Sequence, residues 1–170
     1  MNTVLQQWNE YDVMTAEAEI LPCCGSRAWA QELASLRPFA EPTDLLRRSD
    51  KVWAVLDVAD WEEAFASHPR IGEQKAPASA TAQSAQWSTQ EQGSADLSDS
   101  QVKQDLKQAN AAYEARFGRI YIVCAAGKSA EEMLAILHRR LENGHAAELL
   151  EAAEQQRQIT QLRLRKWLQL

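Results

Sequence analysis

Apolar residues recur every three or four positions along most of this chain, the period of amphipathic helices, and Ala, Leu, Glu, Gln and Arg, all good helix formers, fill the positions between. The pattern predicts short helices over 12–22 and 26–36, the second capped by Ser26 and stopped before Pro38, whose ring cannot continue a helix. A third helix follows over 43–56. Asp60 is placed to cap a short segment, 61–67, that sets Trp61 and Phe65 on one face before Pro69. From Gln74 to Gln86 the residues are small and polar with little to bury, which reads as a surface loop. A longer helix is expected over 97–117, carrying Val102, Leu106, Ala109 and Tyr113, with Gly118 where a left-handed cap falls. The β-branched run from Arg119 to Ala126 resembles a strand, but no second such run exists to pair with it, so an extended buried segment is expected there. Ser129 and Glu132 make a capping-box pair at the start of a helix reaching toward Gly144, and a last helix runs from about 146 to near the C-terminus. The fold class is therefore all-α, a multi-helix bundle with short extended connecting segments.

The last helix carries the first chemical signal. Its apolar stripe passes through Leu149, Ala152, Gln156, Ile159 and Trp167, and Arg163 falls within it. At 100° per residue, Arg163 lies only about 40° from Ile159, whereas Arg157 and Arg165 lie about 160° and 240° away. A core-facing guanidinium cannot deprotonate and needs a negative partner. That partner is an internal or intersubunit carboxylate, or the carboxylate of a bound substrate.

Composition narrows the choice of partners. The 170 residues are 45% hydrophobic and 25% charged, enough to build a core, and the length suits one domain over 1–170. Eighteen basic against 24 acidic side chains give a net charge of -6, which argues against nucleic acid as a partner. No apolar run reaches the roughly 18–20 residues that span a bilayer, and residues 1–8 lack the cationic and apolar regions of a secretory signal, so no membrane partner and a cytoplasmic location are expected. Cys23, Cys24 and Cys124 are an odd set with two adjacent, read as reduced thiols. With His68, His138 and His145 scattered and no Cys-x-x-Cys, no metal site is expected.

Two further clusters hold residues capable of chemistry. In His68-Pro69-Arg70-Ile71-Gly72, proline forces the histidine out of helical geometry, so His68 should mark a helix exit, and Gly72 permits a tight turn. His68 there either meets terminal carbonyls or carries protons. In Trp87-Ser88-Thr89-Gln90-Glu91-Gln92, Ser88 and Glu91 have capping-box spacing, yet no strong apolar run follows. The cluster is either a helix start or a group of hydrogen-bonders for a ligand.

Taken together, these residues resemble the 2-oxo-4-hydroxy-4-carboxy-5-ureidoimidazoline (OHCU) decarboxylases of urate breakdown. The resemblance rests on His68-Pro69-Arg70-Ile71-Gly72, Ser88-x-x-Glu91-Gln92, Arg116-Phe117-Gly118 running into Ile122-Val123-Cys124-Ala125, Gly127-Lys128-Ser129, and Ile159 with Leu162-Arg163-Leu164. Arg37-Pro38-Phe39 matches an early segment of the family. The resemblance implies a homodimeric helical enzyme with no cofactor that converts OHCU to (S)-allantoin and CO2. Carried onto this sequence, it implies catalytic His68, Glu91 and Arg163, with Pro69, Ser88, Gln92 and the peptide groups of Ile122, Val123, Cys124 and Ala125 binding substrate. Arg116 competes for the arginine role, and the stripe favours Arg163. A non-catalytic helical dimeric adaptor and a hydrolase of a related urate-derived ring are the other readings. The adaptor would have no pocket joining His68, Glu91 and Arg163, and the hydrolase would want an activated nucleophile or a metal.

Overall fold

The computed structural model describes residues 2–73 and 75–170; Met1 of the polar start and Gln74 of the expected loop lie outside the described residues. Among the described residues there are nine α-helices and no strand, so the all-α expectation holds. The chain divides into two compact units, Met1–Ala64 with Arg157–Leu170, and Phe65–Gln156.

In the first unit, α1 (Thr3–Glu10) is a helix the sequence pattern did not predict. Asn2 caps it, its side chain accepting from the Leu5 amide at 2.9 Å, and the helix buries Leu5 and Trp8. Asp12 caps α2 (Val13–Ile20) and Ser26 caps α3 (Arg27–Ser35) through the amides of Thr15 and Trp29. In α4 (Pro42–Val55) the proline stands in the first turn, where its missing N–H costs nothing. α5 (Val58–Ala66) starts three residues earlier than expected, so Asp60 is not its cap; it sits in the first turn, where a negative charge meets the positive end of the helix. Indole N–H groups of the core find acceptors: Trp8 donates to Ala16 O, Trp29 to Ser49 Oγ and Trp61 to Trp53 O. Arg37 closes helix ends, donating to Ala34 O, Trp8 O and Tyr11 O while its guanidinium lies over the Trp8 ring, which stacks on Phe39.

The second unit contains the largest difference from the sequence pattern. The expected 74–86 loop gives way at Ala82 to α6 (Ala82–Glu91), capped by Thr81 through the Ser84 amide at 3.0 Å. Ser84, Trp87 and Ser88 are its buried positions, spaced as one helical face, and the alanines between them favour the helix. Ser88 and Glu91 therefore do not form a capping box; they lie at the end of a helix. α7 (Ser100–Phe117) begins behind Asp99 rather than at Leu97 and ends on Gly118, whose φ of +73° lets its N–H reach Glu114 O at 2.9 Å. α8 (Ala130–Arg140) opens on the expected Ser129–Glu132 capping box. α9 (His145–Trp167) follows a short turn. The core of this unit gathers Leu106, Ala109, Tyr113 and Phe117 of α7 with Met133 and Leu137 of α8, around the extended run that includes Tyr121, Val123 and Ala125. That run is buried and outside any strand, as the lone β-branched stretch required.

Candidate active site

His68 leaves the end of α5 as proline demands and is buried, 8% exposed. Its Nε2 meets Gln156 Oε1 at 2.7 Å. The contact pairs the buried imidazole with a neutral side-chain amide, which fixes the orientation of the ring. Pro69 beside it is buried and Arg70 turns outward to a bidentate pair with Glu114. Gly72 then takes a φ of +88° and donates its N–H to Gln92 Oε1 at 3.0 Å. That bond ties the end of α6 to the loop after His68. Ser88 is buried one turn before Gln92, and Glu91 at the last position of α6 is half-buried.

The extended segment is held by side chains where a sheet would use a neighbouring strand. The Cys124 amide donates to Gln155 Oε1 at 2.9 Å, and Lys128 Nζ donates to Cys124 O at 2.7 Å. Arg140 Nη1 donates to Ile122 O at 2.5 Å. Two consecutive residues of α9 thus reach two parts of the site: Gln155 holds the backbone of the 122–125 segment and Gln156 holds His68.

Arg140 is fully buried, and the sequence reading did not single it out. Its Nε and Nη2 both bond Glu148 Oε1, at 2.8 and 2.5 Å, and the carboxylate also receives Tyr113 Oη at 2.5 Å and Asn143 Nδ2 at 2.9 Å. Burial works most strongly against the charge on Arg140, but the hydrogen bonds to Glu148 and that carboxylate's negative charge together raise its pKa. Burial and donation to Glu148 also push the Tyr113 hydroxyl far up. The sequence carried a usable signal: Ala130, Met133, Leu137 and Arg140 form one stripe, as do Glu148, Ala152 and Gln156.

Arg163 belongs to the first unit and is buried as the stripe required, 1% exposed, with Nη1 3.2 Å from Pro22 O. Arg165 is exposed, and Arg157 pairs with Asp50 at 3.2 Å. Cys23 and Cys24 are buried thiols, outside any disulfide and within the influence of Arg163. Burial pushes both thiols up, Cys24 to about 12, against the pull of the guanidinium. The rival Arg116 is exposed at the end of α7 and donates to Asn143 O, a helix-end contact. No cluster of His, Cys, Asp and Glu suited to a metal ion occurs among the described residues.

The sequence model of OHCU decarboxylase matches residues 9–165. The chain belongs to the OHCU decarboxylase family. It is 36% identical over 151 residues to the uric acid degradation bifunctional protein TTL of Arabidopsis thaliana, covering 88% of this chain and 46% of that protein, so it spans under half the length of that relative. It is 32% identical over 152 residues to a 2-oxo-4-hydroxy-4-carboxy-5-ureidoimidazoline decarboxylase of Amia calva, covering 89% of this chain and 83% of the relative. A crystal structure of OHCU decarboxylase in the presence of (S)-allantoin superposes with a TM-score of 0.75 at 31% identity, over 89% of this chain and 98% of that one. A crystal structure of (S)-allantoin synthase, 15% identical, shares the fold with a TM-score of 0.69 over 96% of this chain and 53% of that one.

Proposed function

We propose that this member of the OHCU decarboxylase family converts OHCU to (S)-allantoin and CO2 without a cofactor, with residues 1–170 acting as one OHCU decarboxylase-like domain. The observation that carries the reading is the double anchorage on α9, where Gln156 bonds His68 and Gln155 bonds the Cys124 amide. A buried imidazole and a backbone segment are thereby tied to adjacent positions of one rigid element.

In OHCU one ring carbon bears a hydroxyl and a carboxylate, and the neighbouring ring carbon is a C=N imine. The C–C bond to the carboxylate breaks, its electron pair becomes a ring C=C bond as the imine C=N electrons move to nitrogen, which takes up a proton from solvent, and CO2 leaves. The substrate thus supplies the electron sink that other decarboxylations obtain from a cofactor. The resulting enol loses its O–H proton and gains a proton on carbon from one face, giving the ketone. His68 is the general acid/base at the hydroxyl. Arg163 holds the carboxylate by its fork. Glu91, Ser88 and Gln92 grip the ureido and ring N–H groups, Pro69 walls the histidine, and the peptide groups of Ile122, Val123, Cys124 and Ala125 complete the cradle. Gln92 has Oε1 engaged with Gly72, so its part in that grip is N–H donation to a substrate carbonyl oxygen.

The reading includes a homodimer in the cytoplasm. The family resemblance supports the dimer, and three free cysteines suit a reducing compartment. No described helix is long and apolar enough to cross a membrane.

Steady-state kinetics of two variants test the assignment. His68→Asn should lower kcat by roughly 10²- to 10⁴-fold, the worth of a positioned acid/base. Arg163→Lys keeps the charge but loses the bidentate fork and should fall substantially in kcat/KM. Wild-type turnover in His68→Asn removes the histidine from the chemistry, and a neutral Arg163→Lys assigns Arg163 to structure.

A further inference from the structure

We propose that Arg140 is a positioning residue: with Glu148 it fixes the Ile122 carbonyl, and through it the peptide groups of Ile122–Ala125 that cradle the substrate. The inference rests on reading that segment as the cradle. The segment lies buried outside any strand, so its N–H and C=O groups have no ladder to set their direction. Side chains set it instead: Arg140 on Ile122 O, Gln155 on the Cys124 N–H and Lys128 on Cys124 O. Tyr121, at the start of the run, is pinned by its hydroxyl to Met133 O at 3.0 Å.

Stability does not account for the pair. Arg140 and Glu148 are both fully buried, and pairs of this kind are commonly no more stabilising than apolar side chains of the same volume. Geometry does account for it. The guanidinium is one rigid plane with two N–H groups on Glu148 Oε1 and a third, on Nη1, aimed at Ile122 O, and it lies 4.9 Å from the Tyr121 ring centre and 5.9 Å from that of Tyr113. A lysine ammonium cannot make the same three bonds in one plane. Glu148 is itself fixed by Tyr113 and Asn143. It stands on α9, seven residues before Gln155 and eight before Gln156. One helix therefore sets the Ile122 end of the cradle, its Cys124 end and His68 together. A displacement of about 1 Å in such a frame can cost on the order of 100-fold in rate.

Two variants test this. Arg140→Lys keeps the charge opposite Glu148 and loses the planar fork. The double variant Arg140→Met/Glu148→Gln removes both buried charges while leaving an acceptor for Tyr113. Both should unfold cooperatively like the wild type, lose roughly 10- to 100-fold in kcat/KM for OHCU, mostly through KM, and keep the histidine limb of the pH profile in place. Amide hydrogen exchange of residues 122–125, measured without substrate, should speed up in both while the amides of α7 stay protected. Wild-type exchange at 122–125 in the folded variants overturns the positioning role. Faster exchange with unchanged KM instead removes the segment from the substrate site, which is a failure of the cradle reading.

Discussion

At the level of single residues, the proposed chemistry rests on His68, whose Nε2 meets Gln156 Oε1. Replacing Gln156 by Glu puts a carboxylate where the amide oxygen stands. A neighbouring negative charge favours imidazolium, so the His68 pKa rises, and the acidic limb of the kcat/KM profile, where the base is lost, moves to higher pH. A limb that stays put in a folded Gln156→Glu enzyme separates His68 from the titration that controls rate. His68 and Arg163 were legible in the sequence because proline dictates a helix exit and a 100° turn per residue places an arginine in an apolar stripe. Gln156 was on that same stripe but passed as filler, since a neutral amide signals no unpaid charge. Arg140 is less legible: it ends a short stripe with Ala130, Met133 and Leu137 on α8, beside the exposed Arg139, where a helix-end cation is ordinary.

At the level of elements, Ser26 and the Ser129–Glu132 capping box located α3 and α8, and the misses have local causes. The stretch after Thr81 looks featureless because Ala and Ser carry little hydropathy, yet a threonine cap, alanine fillers and one buried tryptophan are enough for α6. The Ser88–Glu91 spacing imitates a helix start and in fact marks a helix end. α1 needed only an asparagine cap and two large buried side chains. Where the sequence named a special backbone position, the energetics can be checked. Gly118 ends α7 in left-handed geometry and a Cβ there would meet open space, so Gly118→Ala adds backbone strain alone. That strain is about 1–2 kcal/mol, which should lower Tm by a few degrees in a chain of this length without altering turnover. An unchanged Tm in thermal unfolding would contradict the cap.

At the level of the whole molecule, the acidic total conceals a few interior ionisable groups, and these make a pH prediction. The folded pKa of Cys24 is raised to about 12, and Cys23, Tyr113 and Tyr121 are raised further by burial. An unfolded thiol ionises near 8.5. The stabilising contribution of these groups is therefore complete below about pH 8.5 and is lost as pH climbs toward the folded values, because the unfolded chain releases protons the folded chain keeps. Urea unfolding at pH 7.5 and pH 10 should show a loss on the order of 1–2 kcal/mol per buried thiol, reduced in a Cys23→Ala/Cys24→Ala variant. Equal stability at the two pH values would contradict burial of the thiols. The all-α class was legible because helical periodicity extends over most of the chain; the bonds that hold the 122–125 segment join residues up to 31 positions apart, which no local pattern reports.

The central claim is that this chain accelerates and steers the decay of OHCU. Circular dichroism on freshly generated OHCU measures it directly, because unassisted decay yields racemic allantoin with no signal. The account predicts that wild-type protein brings up the band of (S)-allantoin faster than OHCU decays alone and that His68→Asn does not. A wild-type trace that stays optically silent, at the rate of the buffer control, contradicts it.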